Sequence, residues 1–133
     1  MDVTEALRSG VMSLMADTNG DLYTAKDEAY PNEGVGIVTA DAIVYPLINQ
    51  ARSPHRFIVN ERLVHEAQME LTQRGHTPVA FYHTHPASPP SPSARDELWL
   101  KEHPDQVMLI VGLKSIAGWV WTDRLHSLGK IPK

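Results

Sequence analysis

The sequence predicts an α/β fold, a curved, mixed and largely antiparallel β-sheet flanked by helices. Three observations predict it. Apolar residues recur at helical spacing in separate stretches, and the short apolar or alternating runs between them have the length of strands. The connections are short and hairpin-like, which favours antiparallel neighbours over a doubly wound parallel sheet. The chain of 133 residues is of ordinary single-domain size, so one domain, 1–133, with one core is expected.

The first helix is read from Val3, Leu7, Val11 and Leu14, with Asp2 or Thr4 as a cap, and is expected to end before Asn19-Gly20. From Asp17 to Asn32 the chain is polar and turn-rich, with Asn19-Gly20 able to close a small hairpin, and this segment could cover a site. Gly34 to Thr39 and Ala42 to Ile48 read as two strands, and Phe57-Ile58-Val59 as a third or as the lead into the next helix. Asn60 caps a helix from Glu61 to Arg74, where Leu63, Ala67 and Leu71 repeat every four residues and Gly75 offers a left-handed stop. Pro78 to Tyr82 is an apolar strand. Ser93 to Glu102 is a short helix that Pro104 terminates. Val107 to Leu113 has the continuous apolarity of a strand buried on both faces, and Ala117, Trp119 and Trp121 alternate with Gly118, Val120 and Thr122, so these two pair as a hairpin through Lys114-Ser115. The tail from Arg124 to Lys133 shows no clear pattern.

Composition narrows the function. No run of about 18 apolar residues and no signal-like start are present, so the expectation is a soluble, unexported, cytoplasmic protein. A net charge of -4 without a basic cluster leaves no footprint for nucleic acid or an anionic membrane. The chain has no cysteine, so any metal must be held by histidine or carboxylate.

One stretch meets that requirement. His83-Thr84-His85-Pro86 follows the apolar strand, and side chains alternate along a strand, so His83 and His85 share a side while Thr84 points away as support. Four prolines between Pro86 and Pro92 stiffen the turn that follows. Ser93 then caps the next helix and Asp96 sits in its first turn, a capping box that would also rigidify Asp96 as a third ligand. Two imidazoles, one carboxylate and an open position suit a catalytic zinc, one per chain. The same donors form the facial set of non-haem iron oxygenases, a more remote alternative.

The spacing His-x-His, seven residues, Ser-x-x-Asp resembles the signature of the JAMM metalloproteases, also called the MPN-plus family. Upstream, Pro31-Asn32-Glu33-Gly34-Val35-Gly36-Ile37-Val38 is similar to the element on which that family carries its glutamate. The resemblance runs from about Pro31 to Thr122, with one departure: many relatives have a cysteine where this chain has Val35. It implies a curved sheet flanked by helices, the sandwich also seen in cytidine deaminases, zinc on His83, His85 and Asp96, and Glu33 as catalytic base and acid. It also implies Ser93 as stabiliser of the oxyanion, beside its plain reading as a helix cap.

What the resemblance implies for activity is hydrolysis of a peptide or isopeptide bond, with a protein or peptide substrate that in the family ranges from ubiquitin conjugates to ubiquitin-like sulfur carriers. The chain is too short for the large insertions that cleavage of ubiquitin chains uses in relatives, which favours a bacterial or phage type, the latter virion-associated. The alternative is a non-catalytic or processing component of a bacteriophage tail or other assembly. The remaining histidines, His55, His65, His76, His103 and His126, lack ligand spacing and read as surface or helix-end residues, and Met12, Met15, Met69 and Met108 as apolar filler.

Overall fold

The structure is a computed structural model that describes residues 3–133. Three helices and six strands follow in the order α1 (Val3–Ala29), β1 (Val35–Thr39), β2 (Val44–Leu47), α2 (Glu61–Gln73), β3 (Pro78–Thr84), α3 (Ala94–Glu102), β4 (Met108–Val111), β5 (Ser115–Trp121) and β6 (Leu125–Pro132). The strands form one sheet in the order β2-β1-β3-β4-β5-β6. Only β3 and β4 run parallel; every other neighbouring pair is antiparallel, so the mixed, largely antiparallel sheet flanked by helices is the observed architecture.

Strand alternation sorts the core onto two faces. Val38, Tyr82, Leu109 and Val111 pack with Val11, Met15, Leu22 and Tyr23 of α1. Their neighbours turn the other way: Ile37 joins Ala67 and Leu71 of α2, and Met108 and Ile110 join Leu100 of α3. Phe81 lies between these two smaller clusters, so the odd-numbered side of β3, which His83 continues, belongs to the α2 and α3 face. Gly36 allows the close approach of β1 to its neighbours, since a Cβ there would run into the Tyr45 carbonyl and the Tyr82 ring.

Several elements depart from the sequence expectations. α1 does not stop at Asn19-Gly20 and no hairpin forms there; the helix runs on to Ala29. Thr18, Leu22, Ala25 and Lys26 continue the buried stripe of Val11 and Met15 against the sheet, and that burial outweighs the roughly 1 kcal/mol that a helical glycine costs. Gly20 itself faces open space. The segment read as a possible cover over the site is thus mostly helix, packed on the opposite face of the sheet. Thr4 lies inside the helix, and Asp2 lies outside the described residues. Phe57-Ile58-Val59 forms no strand and leads into α2, the second of the two readings for it.

The unpatterned tail is strand β6, paired antiparallel with β5. Its side chains are mostly polar or half-buried, as suits a sheet edge, and only Leu128 is fully buried, so backbone pairing rather than an apolar pattern makes it a strand. Met69 is 48 % exposed on α2 and is not core filler. Among the described residues no helix is long and apolar enough to cross a membrane.

Candidate metal centre

β3 carries His83 into the interior and the chain just beyond it carries His85, while α3 presents Asp96 from its first turn. His83 and His85 bring their Nε2 atoms to 3.2 Å of each other. Asp96 Oδ2 is 3.0 Å from His83 Nε2 and 2.9 Å from His85 Nε2. All three side chains are buried, and together they form a group that could hold a metal ion.

The surroundings fix each donor. Asp96 belongs to the capping box of α3: the Ser93 N–H donates to Asp96 Oδ2 at 3.0 Å, and Ser93 Oγ accepts from the Asp96 N–H at 3.1 Å. His85 Nδ1 donates to the Pro89 carbonyl at 2.8 Å, which directs the lone pair of a neutral Nε2 toward the cluster. The proline-rich loop that supplies this carbonyl is itself tied down, by the Leu113 N–H on the Ser88 carbonyl at 3.2 Å and the Trp119 indole N–H on the Pro90 carbonyl at 3.0 Å. His83 is packed under the ring of Phe57, 4.8 Å away, and its Nδ1 has no hydrogen-bond partner.

Charge follows from burial and contact. Burial pulls His83 below the usual imidazole range, against the opposing pull of Asp96. For His85, burial acts in the same downward direction, but hydrogen bonds to Asp96 and to the Pro89 carbonyl outweigh it and raise the pKa. Asp96 is also buried, which works against its charge, yet the two histidines hold it ionised and well below the usual carboxylate range. A carboxylate converging with two imidazole nitrogens, with no thiolate, is a donor set for a divalent transition metal.

Glu33 joins the cluster from another element. α1 ends at Ala29, the Asn32 N–H closes a turn on the Ala29 carbonyl, and Glu33 follows just before β1. The Glu33 N–H donates to the Ser53 carbonyl at 2.9 Å and its carbonyl accepts from Asn49 Nδ2 at 3.0 Å. Gly34 is pinned to β3, its N–H donating to Thr84 Oγ1 at 2.7 Å and its carbonyl accepting from the Thr84 N–H at 2.9 Å. Thr84 therefore supports the site, as its strand position predicts. The Glu33 side chain is 4 % exposed and its Oε1 has no hydrogen-bond partner. Burial and the charge of Asp96, partly offset by His85, push its pKa up to about 8.

Residues 15–123 match the family described as prokaryotic homologs of the JAB domain. The chain belongs to this family. Among solved structures, this JAB-family chain is similar to protein DSY2949 from Desulfitobacterium hafniense, whose solution structure aligns with a TM-score of 0.69 at 24 % identity, over 83 % of this chain and 84 % of that one. That likeness concerns the fold. A comparison with curated proteins found no match.

Within the JAB-family fold, the structure brings His83, His85 and Asp96 together, puts Glu33 close enough to feel the charges of Asp96 and His85, and sets Ser93 at the cap of α3. The other histidines stay apart. His103 caps the end of α3 and stacks on Trp99, His76 pairs with Asp41, and His126 pairs with Asp123. Sequence reasoning missed Asn49, whose side chain binds the Glu33 and Arg56 carbonyls and the Ala51 and Ile58 N–H groups. An asparagine directly after a strand and before a polar turn was the available signal. It also read Trp119 only as one residue of an alternating strand and missed its bond to the loop that holds His85.

Proposed function

We propose that the chain is a zinc-dependent peptidase or isopeptidase of the JAMM type, with His83, His85 and Asp96 as the zinc ligands. The observation that supports this most is Glu33, a buried carboxyl with an unpartnered oxygen beside the three candidate ligands. In the metal-free chain this carboxyl is pushed up to about 8, and a cation held by the neighbouring ligands would lower it toward neutral pH, where a carboxyl can serve as base and then as acid. Zinc, when bound, supplies Lewis acidity, polarising a carbonyl and lowering the pKa of water to about 7.

In this reading Glu33 takes the proton of the attacking water and returns it to the leaving amine. No covalent intermediate on the protein is required. Ser93 uses its hydroxyl oxygen to accept the Asp96 N–H, so its own O–H remains to be donated to the oxyanion that develops as the carbonyl is attacked. The positive end of α3 adds to that stabilisation. The substrates that fit are peptides or the tails of small ubiquitin-like proteins.

The test is cleavage of a mixed peptide library and of ubiquitin-like fusions by zinc-reconstituted protein, with new termini read by mass spectrometry. Wild type should cut and Glu33→Gln should lose about a hundredfold or more of the rate while keeping its metal. A wild type that holds zinc and cuts nothing would overturn the enzymatic reading in favour of a role in an assembly such as a phage tail.

A further inference from the structure

We propose that the cleft beside the His83, His85 and Asp96 cluster selects the substrate, favouring an extended peptide with an acidic side chain two residues from a large apolar one. This rests on the peptidase reading and gives it a substrate class. The cleft has a volume of about 220 Å³ and counts Asp96 among its lining residues. Its first wall is the segment Arg56-Phe57-Ile58. The second is one face of α3, where Arg95, Leu98, Trp99 and Glu102 stand at i, i+3, i+4 and i+7.

Its apolar part is continuous with the site. The rings of Phe57 and Trp99 meet edge to face at 6.1 Å, and the Phe57 ring also lies against His83 at 4.8 Å. On the same walls two aliphatic side chains are left open, Ile58 at 45 % and Leu98 at 57 % exposure. The walls of the cleft carry unpaired positive charge. Arg56 and Arg95 have no carboxylate partner among the described residues, and Asp96 is already engaged by two histidines. Glu102 stands two turns along α3 from Arg95, at the far end.

Geometry sets the spacing. Arg95 and Trp99 are about 6 Å apart along the helix at 1.5 Å per residue, close to the roughly 6.6 Å between alternate side chains of an extended peptide. A peptide laid along α3 thus meets the Arg95 guanidinium with one side chain and the Leu98 and Trp99 surface with the second one after it. Charge complementarity of this kind chooses partners more than it adds affinity, so the expected signature is a preference.

The probes are fluorescein-labelled heptapeptides of glycine and alanine with aspartate at the third place and leucine at the fifth. Two controls replace the aspartate by lysine or the leucine by serine. Binding to zinc-reconstituted Glu33→Gln protein is read by fluorescence polarisation at low salt. The aspartate-leucine peptide should bind about fivefold or more tightly than either control. Adding Arg95→Glu should reverse the preference for aspartate over lysine, and adding Leu98→Ser should remove the preference for leucine. Equal binding of the three peptides, no binding of any, or a preference unmoved by Arg95→Glu would overturn the proposal. Wild type that binds with this preference but cuts no peptide would overturn the peptidase reading alone, and cutting without the preference would overturn the cleft alone.

Discussion

Asn49 Nδ2 donates to the Glu33 carbonyl at 3.0 Å and to the Arg56 carbonyl at 3.1 Å, so one amide joins the backbone of the candidate base to a wall of the neighbouring cleft. The Asn49 side-chain oxygen accepts from the Ala51 and Ile58 N–H groups, which closes the loop around it. No regular secondary structure holds residues 48–60, so these bonds substitute for a strand ladder there.

Replacing Asn49 by alanine should therefore loosen Glu33 and the loop together. We expect a stability loss of about 1–3 kcal/mol in urea unfolding and a fall in peptide hydrolysis larger than the fall in zinc affinity. Metal binding should persist because none of the three ligands is touched by Asn49. A variant with unchanged hydrolysis would show that the loop does not position Glu33.

Trp119 should matter to the metal through the proline-rich loop. Its indole donates to the Pro90 carbonyl, and the adjacent Pro89 carbonyl holds His85 Nδ1. Trp119→Phe keeps an aromatic ring against the core and removes the donor together with part of the ring's contact area. Zinc affinity measured by competition with a chelator should drop about three- to tenfold, at the lower end of what partners of metal-bound histidines contribute. Unchanged affinity would mean that loop stiffness alone orients His85.

The protonation of Glu33 makes a prediction for the metal-free protein. Its pKa is pushed up to about 8 in the fold, against about 4.3 in an unfolded chain. Between these values the folded protein holds a proton that the unfolded chain has released. The contribution of this group to stability is therefore fully present below about pH 4.3 and is lost as the pH rises through about 8. Urea midpoints of metal-free wild type should fall between pH 6 and pH 8, and the fall should be smaller in Glu33→Gln. Identical slopes would show that Glu33 ionises normally.

Much of this was legible because local patterns and tertiary demands agreed. The histidine pair lies at and just beyond the end of an apolar strand, and Ser93 and Asp96 form a capping box whose spacing alone fixes their geometry. Asn60 caps α2 and Gly75 follows it with a positive φ of 86°, both as their residue types require. The errors fall where long-range packing decides. α1 runs through Asn19-Gly20 because the sheet buries Leu22 and Tyr23 beyond it, and β6 forms because β5 offers an unpaired edge. Trp119 acts through the Pro90 carbonyl, which no pattern of side chains announces, whereas the turn that follows Asn49 was the one local sign of its role.

The most direct test of the central claim is zinc content per chain by elemental analysis, with wild type beside His85→Ala and Asp96→Ala after identical zinc reconstitution. We expect about one zinc per chain in wild type, the stoichiometry of a single three-ligand site with an open position, and loss of that zinc in both variants. Wild type without zinc, or variants that retain it, would contradict a metal centre at His83, His85 and Asp96.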